Sequence, residues 1–83
     1  MKISVIPEDK TIVIDGVALV FDFAVFSPKV HAIQWNGATG SIEYTQGAAT
    51  WFDNPAIIEP FVEAYNAEAA RLATIAAAAA ANG

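Results

Sequence analysis

Residues 53–83 read DNPAIIEPFVEAYNAEAARLATIAAAAAANG, and this C-terminal stretch decides the fold of the chain. Asp53-Asn54-Pro55 is typical of a helix start, because Asp or Asn caps free backbone N–H groups and proline fits the first turn. Pro60 would disturb an established helix, so we expect either a short first turn with a restart at Pro60 or a kink. From there the pattern predicts a helix to about Ala81, with Asn82-Gly83 as its stop.

The predicted helix has two parts that differ in side-chain size. Up to Ile75 an apolar stripe recurs at helical spacing, so we expect residues 58–75 to pack on the rest of the chain. Residues 76–81 are all alanine, which favours a helix but brings little side chain to a core. About 28 helical residues would span about 42 Å, whereas a domain of 83 residues has a diameter of roughly 30 Å. We therefore expect residues 76–81 to extend past the core.

Upstream of the helix, β-branched segments alternate with turn residues. Asp15-Gly16 and Asn36-Gly37 are hairpin signals, because glycine tolerates the positive φ of a tight turn. About five short strands are predicted, at residues 2–6, 11–14, 17–25, 30–35 and 41–45. The predicted fold is α+β in one domain. A small antiparallel β-hairpin unit, residues 1–50, is followed by one long C-terminal helix with an alanine-rich end, residues 51–83.

The predicted strand at residues 17–25 is apolar on both faces, and such a strand needs a cover on both sides or a partner. On the next strand, His31, Ile33 and Trp35 are expected to share one face. Residues 46–50 are expected to be a flexible link before Trp51 and Phe52.

Composition limits the range of functions. The chain is 55% hydrophobic and 16% charged, which is more apolar surface than a chain of 83 residues can bury in its own core. The net charge is −5, and the basic residues are scattered. We therefore expect no nucleic-acid partner and no membrane partner. The chain has no cysteine, which excludes disulfides and thiolate chemistry.

Catalytic equipment is sparse in the sequence. His31 is the only histidine and has no nucleophile motif near it, so we interpret it as structural or exposed. The carboxylates show no metal-binding spacing. Residues 36–40 contain glycines but lack the lysine and the helix of a phosphate loop. We expect no catalytic, metal or cofactor site, and no enzyme. An enzyme hypothesis would require His31 and a carboxylate to share a cleft.

Large aromatic and aliphatic side chains are the candidates for binding a partner. Trp35, Tyr44, Trp51 and Phe52 have two interpretations: core packing under the helix, which we favour, or anchors of an interface. A sugar-binding surface is a third, but no convincing pattern of polar residues accompanies them. The partner-binding candidates are Phe21, Phe23, Trp35, Trp51, Phe52, Phe61, Tyr65, Leu72 and Ile75.

Two segments together carry a resemblance to a known group of proteins. They are MKISVIP at residues 1–7, continued through VIDGV at residues 13–17, and VHAIQWNG at residues 30–37, continued by GSIEY at residues 40–44. The pair resembles small proteins encoded near the tail-fibre genes of tailed bacteriophages and prophages. The resemblance covers about residues 1–72 and carries no active site. This chain differs in ending with an alanine run instead of a longer polar extension.

This resemblance implies a non-catalytic, tail-associated protein that binds a tail-fibre or other tail protein. It would act either as an assembly chaperone or as a structural piece of the virion. Its location would be the host cytoplasm during assembly and, for a structural piece, the virion tail. The alternative is a self-assembling homo-oligomer that packs its helices through alanine faces and has no role in fibres.

Overall fold

Short β-branched segments separated by turns form a single antiparallel sheet of six strands, and one helix follows it. The structure, a computed structural model, describes residues 1–82. The strands are β1 (Ile3–Ile6), β2 (Thr11–Ile14), β3 (Val17–Val20), β4 (Val30–Trp35), β5 (Gly40–Tyr44) and β6 (Thr50–Phe52). Their order across the sheet is β3-β2-β1-β4-β5-β6, with every neighbouring pair antiparallel. The helix, α1, spans Glu59–Asn82. The predicted α+β architecture is confirmed, and the sheet gains a sixth strand that begins at Thr50, the last residue of the predicted link. Gly83 of the predicted helix stop lies outside the described residues.

Two tight turns determine the pairing of the strands. Asp15 and Gly16 have φ of 48° and 85°, which is the type I′ geometry expected of a hairpin. The carboxamide oxygen of Asn36 accepts hydrogen bonds from the backbone N–H groups of Ala38 and Thr39, at 2.9 and 2.8 Å. This Asx turn closes the β4–β5 loop.

The long strand predicted at residues 17–25 was wrong beyond Val20. Phe21 still donates its backbone N–H to the Lys10 carbonyl, at 2.8 Å, and the chain then leaves the sheet. The reason is topological: β4 pairs with β1, so residues 21–29 must cross over β2 and β1 to reach it. We call residues 21–29 the crossover. An ion pair of 2.8 Å between Lys10 and Asp22 stands at its beginning.

One face of the sheet, here called the core face, holds the apolar core. The register places Val5 of β1 between Ile12 of β2 and Ile33 of β4, and all three side chains are fully buried. Ile58 and Phe61, at the start of the helical region, cover them. The crossover covers the rest, since the Phe23 ring meets the Phe61 ring edge-on at 6.2 Å.

A β-bulge corrects the predicted face of His31. Ile33 and Trp35 are buried on the core face as expected. The β4–β5 register shifts between Val30 and Ala32, so that His31 and Ala32 together oppose Glu43. Because the extra residue breaks the alternation of side chains, His31 is exposed and does not share the face of Ile33 and Trp35.

Gly40 allows two aromatic rings to stack across the middle of the sheet. It lies between Trp35 of β4 and Phe52 of β6 in the strand register. The two rings stack over it, with centroids 5.5 Å apart and planes at 16°. A Cβ atom at position 40 would lie 2.5 Å from the Phe52 ring and 2.5 Å from the Gln34 carbonyl oxygen. Only glycine leaves room for the two rings here. The stack that it permits holds β6 against the rest of the sheet.

The helical region begins in two steps. Asn54 caps a 3-10 turn, Pro55–Ile57, by accepting the Ala56 N–H at 3.0 Å. The α-helix then starts at Glu59, so Pro60 is its second residue, where a missing N–H leaves no hydrogen bond unmade. Of the two expectations for Pro60, the short first turn with a restart is therefore confirmed.

The helix begins over the central strands of the core face, leaves the sheet at the β3 edge and continues beyond it. It follows β6 in the chain, and the Tyr65 hydroxyl donates to the Val17 carbonyl on β3, the opposite edge, at 3.0 Å. Every side chain from 70 to 81 is exposed. We call residues 70–81 the helix overhang.

The expectation that residues 58–75 dock on the sheet was wrong beyond Ala69. Leu72 and Ile75 are 41% and 52% exposed, although they continue the docked stripe. Tyr65 already lies at β3, the edge strand, whereas α1 continues for 17 more residues, about 26 Å, to Asn82. The helix therefore runs out of sheet earlier than its bulky residues end. The chain reaches 51 Å along its longest axis.

An ion pair marks the end of the docked part of the helix. Arg71 donates from Nε and Nη2 to the two carboxylate oxygens of Glu68, at 2.5 and 2.9 Å, in an i,i+3 pair on the helix. The Glu68 side chain is largely covered, while Arg71 is exposed. The hydrogen bond from Arg71 holds the pKa of Glu68 below its ordinary value of 4.5, against the opposing effect of burial.

The same substitution should have different effects on the two parts of the fold. Ile33→Val removes a methylene from a fully buried site and should lower the free energy of unfolding by about 0.5–1.5 kcal/mol. Ile75→Val, on the helix overhang, should change it by less than about 0.5 kcal/mol. Urea titrations followed by circular dichroism measure both. Equal losses in free energy of unfolding for the two variants would contradict the end of helix docking at Ala69.

Stability should also depend on the ionisation of Glu68. Because its pKa is lower in the folded chain, its bond to Arg71 stabilises the fold above its unfolded pKa of about 4.5 and is lost as the pH falls through the lowered value. Wild type should therefore exceed Glu68→Gln in free energy of unfolding near neutral pH. That difference should shrink in acid and in high salt. If the difference in free energy of unfolding between wild type and Glu68→Gln grew in acid, the pKa of Glu68 would not be lowered by folding.

Candidate functional site

The second face of the sheet, here called the open face, lies opposite the core face and the helix. The strand register lines up one residue from each of five neighbouring strands across it. In order from β2 to β6 they are Val13, Ser4, Gln34, Ser41 and Trp51. They line an open depression of about 470 Å³, with Lys2, Asn36 and Thr39 at its rim. This row combines hydroxyl, amide and indole groups on a face that the helix leaves uncovered, and we call it the open-face site.

The floor of the open-face site is polar. The Ser4 hydroxyl donates to the Gln34 side-chain carbonyl at 2.6 Å, which leaves the two N–H bonds of the Gln34 amide for a ligand. Ser41 lies between Gln34 and Trp51 and is buried there. Lys2 supplies a positive charge at the rim and takes part in none of the ion pairs formed among residues 1–82. The site therefore offers mainly hydrogen-bond donors.

Trp51 forms the wall of the site and is 75% exposed. Its position follows from the alternation of β6: Phe52 stacks on Trp35 on the core face, so the preceding residue must face the other way. On its far side, Trp51 borders a second depression of about 410 Å³, beside Thr39 and Asp53. The indole ring thus stands between two hollows and is accessible from both.

The predicted partner-binding residues are divided by the structure into three groups. Trp35 and Phe61 are buried in the core. Phe21, Phe23, Phe52 and Tyr65 are half-buried and pack against it. Trp51, Leu72 and Ile75 are exposed, the first on the open face and the others on the helix overhang. Of the aromatic cluster, Trp35, Tyr44 and Phe52 pack on the core side, whereas Trp51 does not. The nine candidates therefore do not form one surface.

Sequence reasoning missed the polar members of the site. Each of these residues has buried neighbours on both sides along its own strand. Alternation alone therefore predicts that the side chains of Ser4, Gln34 and Ser41 face outward. Their alignment into one row depends on which strands are neighbours. The β1–β4 pairing joins residues about 30 positions apart and has no local signal in the sequence.

His31 and its neighbouring carboxylate, Glu8, lie away from this site. The His31 Nδ1 is 3.9 Å from a Glu8 carboxylate oxygen, and both side chains are more than half exposed. Neither lines the depression on the open face. Within residues 1–82, no three His, Asp or Glu side chains gather closely enough to hold a metal ion. In the same part of the chain, no helix combines the length and apolar character needed to cross a membrane.

Comparisons of the chain with protein-family models, with curated proteins and with solved structures find no match.

The different environments of the two tryptophans can be measured directly. Trp51 is exposed and Trp35 is buried under its stack with Phe52, so acrylamide should quench only part of the wild-type fluorescence. In Trp51→Phe the remaining emission should be shifted to the blue and resist quenching. Strong quenching of Trp51→Phe would contradict the burial of Trp35, provided that the variant has the same circular dichroism spectrum as the wild type.

Proposed function

We propose that this chain is a non-catalytic binding module associated with a bacteriophage tail, and that it binds a tail-fibre or other tail protein through the open-face site. The observation that supports a binding role is Trp51. A large aromatic side chain stands 75% exposed beside unused hydrogen-bond donors. Covering the exposed part of an indole would contribute about 3 kcal/mol at 25 cal/mol per Å², which is typical of an interface hot spot.

The chemistry of the site indicates what the partner presents. An apolar side chain or ring would lie against the Trp51 indole. Carbonyl or carboxylate oxygens would accept hydrogen bonds from the Gln34 amide and from Lys2. A protein segment supplies both kinds of group along its backbone and side chains. The net charge of −5 keeps the free chain soluble while this surface is uncovered.

The assignment to a phage tail rests on the resemblance of residues 1–17 and 30–44 to proteins encoded near tail-fibre genes. Two roles fit it, an assembly chaperone and a structural piece of the virion. Both use the same surface chemistry and differ only in whether the complex persists. Mass spectrometry of purified virions separates them, because a structural piece is present in fixed stoichiometry and a transient chaperone is absent.

The alternative, a self-assembling module with no role in fibres, is favoured by a different observation. Val17 and Val20 on β3 and Leu72 and Ile75 on the helix overhang are exposed apolar residues, and β3 is the edge of the sheet opposite to the Trp51 strand. Self-association through that region and binding of a tail protein at Trp51 use separate surfaces, so the first does not exclude the second.

Trp51→Ala should abolish the proposed interaction without unfolding the chain. The partner to use is a tail-fibre protein encoded in the same genome as this chain, titrated by calorimetry. Loss of a hot spot of 2 kcal/mol or more corresponds to at least about a 30-fold weaker affinity. Thr50→Ala, a neighbour on the same strand that faces the other side, is the matched control and should bind as the wild type does.

Two outcomes would count against the proposal. If wild-type chain and fibre protein show no binding heat and do not co-purify, the tail role fails. If they bind equally well with Trp51→Ala, a tail protein is bound elsewhere and the open-face site is not the surface responsible.

A further inference from the structure

β3 is an edge strand with its outer backbone unpaired. The hairpin register joins Ile14 to Val17 and Ile12 to Leu19, and Phe21 donates its N–H to Lys10 on β2. In an antiparallel pair the bonded groups alternate, so Val17, Leu19 and Phe21 direct their backbone groups toward β2. Ala18 and Val20 therefore direct their N–H and C=O groups away from the sheet.

This edge, residues 16–21, carries neither a charged residue nor a proline, two of the features that usually prevent edge strands from pairing. Val17 and Val20 are 59% and 72% exposed, which adds apolar surface beside the free backbone groups. At the end of the strand, the charge of Asp22 is neutralised by Lys10. The edge is thus uncharged, apolar and ready for another strand.

The helix overhang extends beyond this same edge. Tyr65 contacts β3 through its bond to the Val17 carbonyl, and the overhang begins five residues later, at residue 70. Leu72 and Ile75 continue the stripe by which Ile58, Phe61 and Tyr65 face the sheet. The exposed stripe therefore faces the space that one more strand beside β3 would occupy. A strand added there would extend the sheet and bring residues under the overhang.

We propose that a second copy of this chain occupies that space, with β3 pairing antiparallel to β3 of the other copy. Ala18 of each copy would lie opposite Val20 of the other, so that every outward N–H of these residues reaches a carbonyl. The two-fold axis would pass between the two Leu19 residues, normal to the sheet. Gly16 would then oppose Asp22, so no like charges meet across the edge.

The two-fold axis also decides where each overhang goes. Rotation about the sheet normal keeps both helices on the core-face side and reverses the strand direction. Helix docking at β3 lies near the Asp15-Gly16 turn, whereas the crossover leaves from the opposite end of β3. Each overhang would consequently lie beside the crossover of the other copy. That contact places Leu72 and Ile75 near Phe26, which is itself exposed.

A second copy fits better than an unrelated protein because the edge and the overhang complement each other. A partner for this edge must offer an uncharged strand and, beside it, an apolar surface for the overhang. This chain carries such a strand in β3 and such a surface on its helix overhang. Pairing would also leave the open face uncovered, with a Trp51 site at each far end of the joined sheet. The dimer is therefore independent of the tail-binding role.

Val20→Lys tests the pairing. Its side chain is exposed, so folding should be preserved, and a charge on the edge should oppose a second strand. Sedimentation velocity of the wild type at tens of micromolar should give about 17 kDa, twice the chain mass of 8.7 kDa. Val20→Lys should give the monomer mass at the same concentration. Thr50→Lys, with the same charge change on the opposite edge strand, should remain dimeric.

Hydrogen exchange provides a readout that does not depend on a variant. The amides of Ala18 and Val20 should gain protection as the wild-type concentration rises, because only pairing bonds them. Leu72→Gln with Ile75→Gln should weaken the dimer at least 10-fold in dissociation constant, with circular dichroism unchanged. A wild-type monomer at 100 µM would overturn the proposal. So would a dimer that survives Val20→Lys but not the helix variants, since helices would then be the interface.

Discussion

The packing of Ile58 and Phe61 on the core face is the contact on which the rest of the structure depends. Val5, Ile12 and Ile33 are fully buried in one cluster with these two side chains, and the crossover completes the cover. Burial of each such side chain contributes about 1.5–3 kcal/mol. An antiparallel sheet with an uncovered apolar face would not be stable by itself, so the first turns of the helix hold the six strands in one fold.

The length of helix beyond the β3 edge accounts for the shape of the molecule. The helix starts over the central strands of the core face, and it reaches the β3 edge by Tyr65. What remains extends into solvent. The radius of gyration is 14.5 Å, compared with about 12 Å for a compact domain of this length. Exposed apolar side chains collect beside the β3 edge as a consequence.

Alternation along the strands separates two kinds of chemistry. Residues that face the helix are aliphatic or aromatic, while the row that faces away carries hydroxyl, amide and indole groups. The histidine and its neighbouring carboxylate lie outside that row. A surface of hydrogen-bond donors around an exposed ring is suited to recognition, which is why the open-face site supports a binding role better than a catalytic one.

The sequence by itself determined every feature that depends on neighbouring residues. The type I′ turn at Asp15-Gly16, the Asn54 cap, the restart at Pro60 and the Glu68–Arg71 pair all follow from local backbone and side-chain geometry. The alternation of polar and apolar residues also predicted the antiparallel strands. The tertiary structure decided what depends on distant partners. The β1–β4 pairing assembled the open-face site, the bulge moved His31, and the position of the β3 edge under the helix ended docking at Ala69 instead of Ile75. These outcomes depend on which segments meet across the chain, and no spacing within a single segment carries that information.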